Sequence, residues 1–187
     1  MIGQIAHRHQ IAFHTDAVQA YGHIPINVNE YMIDMLSMSA HKLKGPKGTG
    51  FLYVRNGLEL PAYIDGGSQE NGRRAGTSNV PGIVGLGKAC EIAARNMSRN
   101  INNMTRLRNR IIYKIKKGLP DAVLTGSEQM RLPNNISFCF PHVESSQLLA
   151  ILDMHGICAS AGSACSTGAA GPSHVLIATV SYTHLRA

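Results

Sequence analysis

The chain of 187 residues has no tryptophan, and aromatic residues make up only 5% of it. Rings so few and so scattered cannot form the platform on which single-stranded nucleic acid stacks. Charged residues are also sparse, at 16%. No apolar run is long enough to cross a bilayer, and the opening "MIGQIAHRHQ" lacks the basic-then-apolar layout of a signal peptide. A cytoplasmic location is therefore expected. The four cysteines form no C-x-x-C pair, and no Cys/His group has the spacing of metal ligands, so no metal site is expected. Reduced thiols are expected in that compartment. There is no internal repeat, and the length suits one sizeable core or a small domain with part of another.

What the chain does have is a formal charge of +7. Much of it lies at Arg95, Arg99, Arg106, Arg108, Arg110, Lys114, Lys116 and Lys117. That spacing predicts the wet face of a long helix whose apolar face carries Ile101, Met104, Leu107, Ile111 and Ile115. A solvated face explains the charge better than a nucleic-acid partner does, and none is expected. A basic binding module remains a separate class, which salt-sensitive affinity for DNA would reveal.

The pattern along the chain alternates. "IAFHTDAV" (11–18), "MLSMSA" (35–40) and "GTGFLYV" (48–54) read as short strands. "GGSQENGRRAGTSNVPG" (66–82) reads as a loop, and a helix is predicted over 82–118, ending at Gly118-Leu119-Pro120. Strands at "AVLTG", "NNISFCF" and "ICASAG" and a helix at "SSQLLAILDMHG" complete an α/β pattern in which two domains meet near residue 80. "GIVGLGKA" (82–89) satisfies G-x-x-x-x-G-K, but Ala89 stands where magnesium needs a hydroxyl and no strand precedes it. A nucleoside triphosphatase is a poor reading.

Three residues carry more interesting chemistry. Lys42 follows the strand-like "LSMSA" and His41, at a strand end where α/β sites gather, whereas Lys44 and Lys47 lie farther into a Gly/Pro turn. Asp16 ends the first strand among apolar neighbours, where a buried carboxylate needs a partner. A pyridinium nitrogen is one such partner; a turn or helix-cap aspartate is the plainer alternative. Cys165 sits in "SAGSACSTGAAG", among small residues that bury it poorly, as suits a travelling nucleophile. Cys90, Cys139 and Cys158 read as small core residues, and His7 and His9 as surface.

"FHTDAVQAYGHIPI", "SMSAHKLKGPKGTGFLYVR", "GGSQENGRRAGTSNVPGIVGLGKA" and "SAGSACSTG…PSHVL" occur in this order between about residues 3 and 176. Together they resemble the class I cysteine desulfurases, pyridoxal-phosphate-dependent enzymes of the aminotransferase class V family. The resemblance implies a partial fold-type I PLP-dependent transferase, in α/β architecture. It implies conversion of L-cysteine to L-alanine with an enzyme-bound persulfide, for iron–sulfur cluster assembly or thiolation. A homodimer and a sulfur-acceptor protein such as an iron–sulfur scaffold are the implied partners, and pyridoxal 5'-phosphate the implied cofactor. By the same resemblance Lys42 holds the cofactor as a Schiff base and shuttles protons. Asp16 pairs with the pyridinium nitrogen, and Gln19 bonds the phenolic oxygen. Ser39 and His41 bind the phosphate together with Thr77 from the other subunit, and Cys165 takes the sulfur.

The resemblance also implies a longer chain. The expectation is a fragment: 1–80 as the C-terminal part of the large cofactor-binding domain, 81–176 as the small domain with the Cys165 loop, and 177–187 as an aberrant or truncated tail. A histidine stacked on the cofactor ring, an asparagine near the phenolic oxygen and a Gly/Thr phosphate loop are expected upstream, and a carboxylate-binding arginine downstream. Alternative functions are a selenocysteine lyase, an aminotransferase-like relative, or an inactive fragment.

Overall fold

A computed structural model describes residues 1–162 and 174–178. The chain divides into two compact units, Met1–Thr105 with Leu132–Asn134, and Arg106–Arg131 with the residues from Asn135 onward.

The first unit is built on a mixed sheet of three strands in the order β1-β2-β3: His14–Asp16, Met35–Ser39 and Gly50–Val54. β1 runs parallel to β2, with Asp16 opposite Ser37, and β3 runs antiparallel to β2, with Gly50 opposite Ser39. Burial alternates along β2, where Leu36 and Met38 are buried between half-buried neighbours. That is the period of two expected of a strand with one covered face. Leu36 and Met38 pack with Ala17, Ile33, Ala40 and Leu86, and Phe13, Tyr21 and Phe51 close over them. The Tyr21 and Phe51 rings meet edge to face at 5.3 Å, a favoured aromatic arrangement.

Two glycines are dictated by close approach. A Cβ on Gly50 would lie 2.3 Å from the carbonyl oxygen of Met38, so β3 can pair beside Ser39 only without a side chain there. Gly22 has a φ of +76°, and a Cβ there would lie 2.5 Å from Leu43 Cδ2, so a side chain would be strained and would displace Leu43.

Helix α1, Ile2–Arg8, has no counterpart among the elements the sequence predicts. Its His7 donates or accepts through Nε2 at 2.8 Å from Asp34 Oδ2. Asp34 is only 7% exposed. It also accepts from the Phe13 N–H at 2.9 Å and from Arg55 Nε at 3.0 Å. Arg55 Nη2 continues to the carbonyls of Val28 and Ile33 at 2.9 and 2.8 Å. Burial pushes the Asp34 carboxyl up, but the Phe13, His7 and Arg55 bonds outweigh it and hold the group below its ordinary range. His7 is thus a surface residue with a buried partner rather than a freely solvated one.

Helix α2, Val80–Gly118, matches the predicted long helix, and "GIVGLGKA" lies wholly inside it. Its buried face is the expected one in part: Ile101, Met104 and Ile115 are half-buried as predicted, but Leu107 and Ile111 give way to Arg108 and Ile112. Leu107 and Ile111 are 46% and 43% exposed, while Ile112 and Arg108 are 3% and 8% exposed. Arg108 earns its place through hydrogen bonds: Nη1 donates to the Arg131 carbonyl at 2.9 Å and Nε to Asn109 Oδ1 at 3.0 Å. Farther along, Lys116 pairs with Glu128 at 2.6 Å.

The second unit also holds a two-stranded antiparallel sheet, β4 (Val123–Leu124) and β5 (Phe138–Cys139), and helix α3, Ser145–Met154. Glu144 caps α3 by accepting the Gln147 N–H at 2.9 Å, and the Ser146 hydroxyl bonds the same carboxylate. These bonds, Ser146 first, hold the Glu144 carboxyl below its ordinary range. "ICASAG" forms no strand, and Cys158 within it is exposed rather than in the core. Its Ala, Ser and Gly have low strand propensity and little surface to bury. Cys90 and Cys139 are half-buried, as small core residues are, and burial pushes the Cys139 thiol up. A short helix α4, His174–Ala178, takes in the first two residues of the predicted tail; the remainder lies outside the described residues. Among the described residues no helix is long and apolar enough to cross a membrane.

Candidate active site

The carboxyl ends of β1 and β2 lie side by side because these two strands are parallel. Asp16 is the last residue of β1 and Ser39 the last of β2. The segment after each strand completes the group. Gln19 lies in the turn after β1, where the Ala20 and Tyr21 N–H groups both bond the Ala17 carbonyl. His41 and Lys42 lie in a short 3-10 helix, Ala40–Leu43, that leaves β2 directly. This is the end of a parallel pair at which ligands of open α/β sheets gather.

Local chemistry explains the abrupt change from strand to 3-10 turn. Ala40 is fully buried and its N–H donates to the Thr49 carbonyl at 2.9 Å. The Gly45 N–H then returns to the Ala40 carbonyl, also at 2.9 Å. Lys44 ends the turn in the left-handed region, at φ 62°. The three lysines are thereby separated: Lys42 is half-buried within the turn, whereas Lys44 and Lys47 are exposed.

Ser39 Oγ and His41 Nδ1 are 2.7 Å apart, an exposed hydroxyl–imidazole pair. Asp16 is exposed rather than buried among its apolar neighbours. Those neighbours point elsewhere: Ala17 enters the core, while Asp16 Oδ1 accepts the Val18 N–H at 2.9 Å. That bond is the turn aspartate foreseen as the plainer alternative. It occupies one carboxylate oxygen. Thr77 is exposed on the loop between β3 and α2. Cys165 lies outside the described residues. The chain thus brings Asp16, Gln19, Ser39, His41 and Lys42 to one sheet end.

Sequence reasoning missed one neighbour of this group. Asn134, from the segment that belongs to the first unit, places Nδ2 3.4 Å from both the carbonyl oxygen and Oε1 of Gln19. The Asn-Asn pair reads only as the start of the strand predicted at "NNISFCF", and no local signal marks it.

The chain belongs to the aminotransferase class-V family, whose model matches residues 1–186. Among relatives, it is 51% identical over 177 residues to a cysteine desulfurase IscS of Dictyoglomus turgidum, covering 95% of this chain and 45% of that one. It is 49% identical to a cysteine desulfurase IscS of Methanosarcina thermophila, covering 95% of this chain and 44% of the relative. The fold agrees. A NifS-like protein from Rickettsia africae superposes with a TM-score of 0.81 at 34% identity, over 87% of this chain and 45% of the other. SspA, solved in complex with cysteine, superposes with a TM-score of 0.67 at 36% identity, over 95% and 48%. The fold is therefore that of NifS-like fold-type I proteins, and the chain spans less than half the length of the relatives it matches.

Proposed function

We propose that this chain serves a cysteine desulfurase reaction: pyridoxal-phosphate-dependent removal of sulfur from L-cysteine, giving L-alanine and a persulfide on Cys165. The observation that carries the reading is the convergence of Asp16, Ser39 and Lys42 on the carboxyl ends of one parallel strand pair. The names of the relatives support it.

The donor set fits the cofactor chemically. Lys42 offers an amine for covalent attachment, Asp16 a carboxylate for a protonated ring nitrogen, and Gln19 an amide for a phenolic oxygen. The Ser39–His41 pair offers donors to a phosphate. With Asp16 Oδ1 accepting the Val18 N–H, Oδ2 would be left to meet a protonated ring nitrogen. Asp16, Gln19 and His41 are exposed and Ser39 and Lys42 half-buried, so the set is open to a ligand at this sheet end.

Bound pyridoxal phosphate supplies an electron-accepting ring that stabilises negative charge on the attached substrate. Lys42 holds the group and moves protons at its Nζ. The Cys165 thiolate attacks the substrate sulfur. As the new S–S bond forms, the C–S bond breaks, its electron pair stays with the substrate carbon, and a proton there completes the methyl of alanine. The persulfide then passes to an acceptor protein, such as an iron–sulfur scaffold. The active form is a homodimer in which Thr77 reaches the phosphate bound by the other subunit. In domain terms, 1–80 supplies the cofactor-binding part and 81–176 the part with the Cys165 loop; the setting is cytoplasmic.

The test is incubation with L-cysteine and pyridoxal phosphate, alkylation, and mass spectrometry. The expected result is alanine with one added sulfur on the Cys165 peptide, both lost in Cys165→Ala. Alanine release that survives Cys165→Ala favours a selenocysteine lyase or an aminotransferase-like enzyme instead, and no turnover with cofactor bound marks an inactive fragment.

A further inference from the structure

The carboxamide of Gln19 has two unlike ends, and only one suits an anionic phenolic oxygen. Nε2 is a donor; Oε1 is an acceptor that would repel it. The turn holding Gln19 is closed by backbone bonds between Ala17 and Ala20, which fix the Cα but not the amide. Gln19 is exposed, so packing does not decide the amide's direction either.

One side chain lies within reach of it. Leu132–Asn134 belongs to the first unit although the residues on both sides of it belong to the second. Pro133 in this segment is buried, which anchors the backbone beside Asn134. Asn134 Nδ2 then lies 3.4 Å from the Gln19 carbonyl oxygen and 3.4 Å from Gln19 Oε1, across a separation of 115 residues. A primary amide nitrogen carries two N–H groups, one for each acceptor.

We propose that Asn134 is a positioning residue: by donating to Gln19 Oε1 it turns Nε2 the other way, as the donor for an anionic oxygen held at the carboxyl ends of β1 and β2. The identity of that oxygen, the cofactor's phenolic group, rests on the proposed function; the direction of the amide does not. The second bond, to the Gln19 carbonyl, ties Asn134 to the turn itself, so amide and turn share one reference.

The test has a cofactor-free arm and a loaded arm. Side-chain 15N relaxation of Gln19 is expected to show a restrained amide in the unaltered chain and a mobile one in Asn134→Ala. Asn134→Asp replaces the donor with acceptors, so the Gln19 amide is expected to turn round and bring its Nε2 protons into Overhauser contact with the side chain at position 134. An amide already mobile in the unaltered chain, or unmoved by both substitutions, overturns the proposal. In the loaded arm, titration with pyridoxal phosphate is expected to show affinity weakened about two- to tenfold by Asn134→Ala, the scale of one hydrogen bond. In a Gln19→Ala background the same substitution is expected to change nothing further; equal weakening there overturns the role. A restrained amide in a chain that takes up no cofactor supports the positioning and contradicts the proposed function, so the two fail separately.

Discussion

Asp34→Asn tests how the sheet that carries the site is held together. Asp34 immediately precedes β2 and receives the Phe13 N–H that precedes β1, so one carboxylate sets the start of both parallel strands. It is 7% exposed and faces three donors: Phe13 N–H, His7 Nε2 and Arg55 Nε. A carboxamide keeps the shape but offers a single oxygen, so at least one donor, Arg55 or the Phe13–His7 pair, meets an NH2 group. Hydrogen bonds to a charged group contribute about 1.5–3 kcal/mol each, and a buried donor left unmatched costs about 1–3 kcal/mol. Arg55 retains the Val28 and Ile33 carbonyls, which moderates the loss. The expected destabilisation is about 2–4 kcal/mol.

The assay is amide hydrogen exchange at Leu36 and Met38, which reports the sheet itself rather than both units together. At 1.4 kcal/mol per factor of ten, exchange is expected to quicken roughly 30- to 1,000-fold. The pH dependence follows from the direction of the shift. Asp34 is held below its ordinary range when folded, so the unfolded chain takes up the proton first. Its contribution is complete above the unfolded value, about 3.9, and is lost as pH falls through the lower folded value. The unaltered chain should therefore lose protection at Leu36 on acidification more steeply than Asp34→Asn. A change in exchange below about threefold, under 0.7 kcal/mol, or the same acid dependence in both proteins, refutes the reasoning.

Two further outcomes are expected. Gly50→Ala puts a Cβ 2.3 Å from the Met38 carbonyl oxygen, backbone that cannot move aside without parting β3 from β2. Overpacking of this kind costs about 1–3 kcal/mol; thermal unfolding should reveal it, and an unchanged midpoint would show that the strand pair tolerates the methyl group. In the second unit, Arg108→Met keeps the stem but removes the bond to the Arg131 carbonyl, with an expected loss of about 1–3 kcal/mol in exchange protection at Ile112. Unaltered protection would show that Arg108 is buried for its stem alone.

How much of this was legible in the sequence depends on how far apart the partners lie. β2 was legible because its alternation is local, and α2 because a 39-residue helix leaves a long periodic trace. The covered face of α2 was legible only in part: Ile101, Met104 and Ile115 were placed rightly, but a charge pattern does not reveal that Arg108 has a carbonyl to meet at Arg131 and takes a covered position. Helix α1 escaped notice because "IGQIAHR" mixes polar and apolar residues too evenly for a seven-residue window. Within the site, Lys42 stood out by its place at a strand end, and the structure adds the half-buried 3-10 turn that separates it from Lys44 and Lys47. Asp16 was placed on the right strand end but with the wrong burial, because apolar neighbours in sequence alternate away from it in space. Asn134 was invisible, since its contact with Gln19 spans 115 residues.

The central claim is that the carboxyl ends of β1 and β2 form a cofactor site with Lys42 as its covalent anchor. Borohydride reduction of the chain incubated with pyridoxal phosphate, followed by peptide mapping, tests it most directly. The account predicts pyridoxyl label on the Lys42 peptide, abolished by Lys42→Ala and retained in Lys44→Ala and Lys47→Ala. Label on Lys44 or Lys47 in place of Lys42, or no label at all, contradicts it.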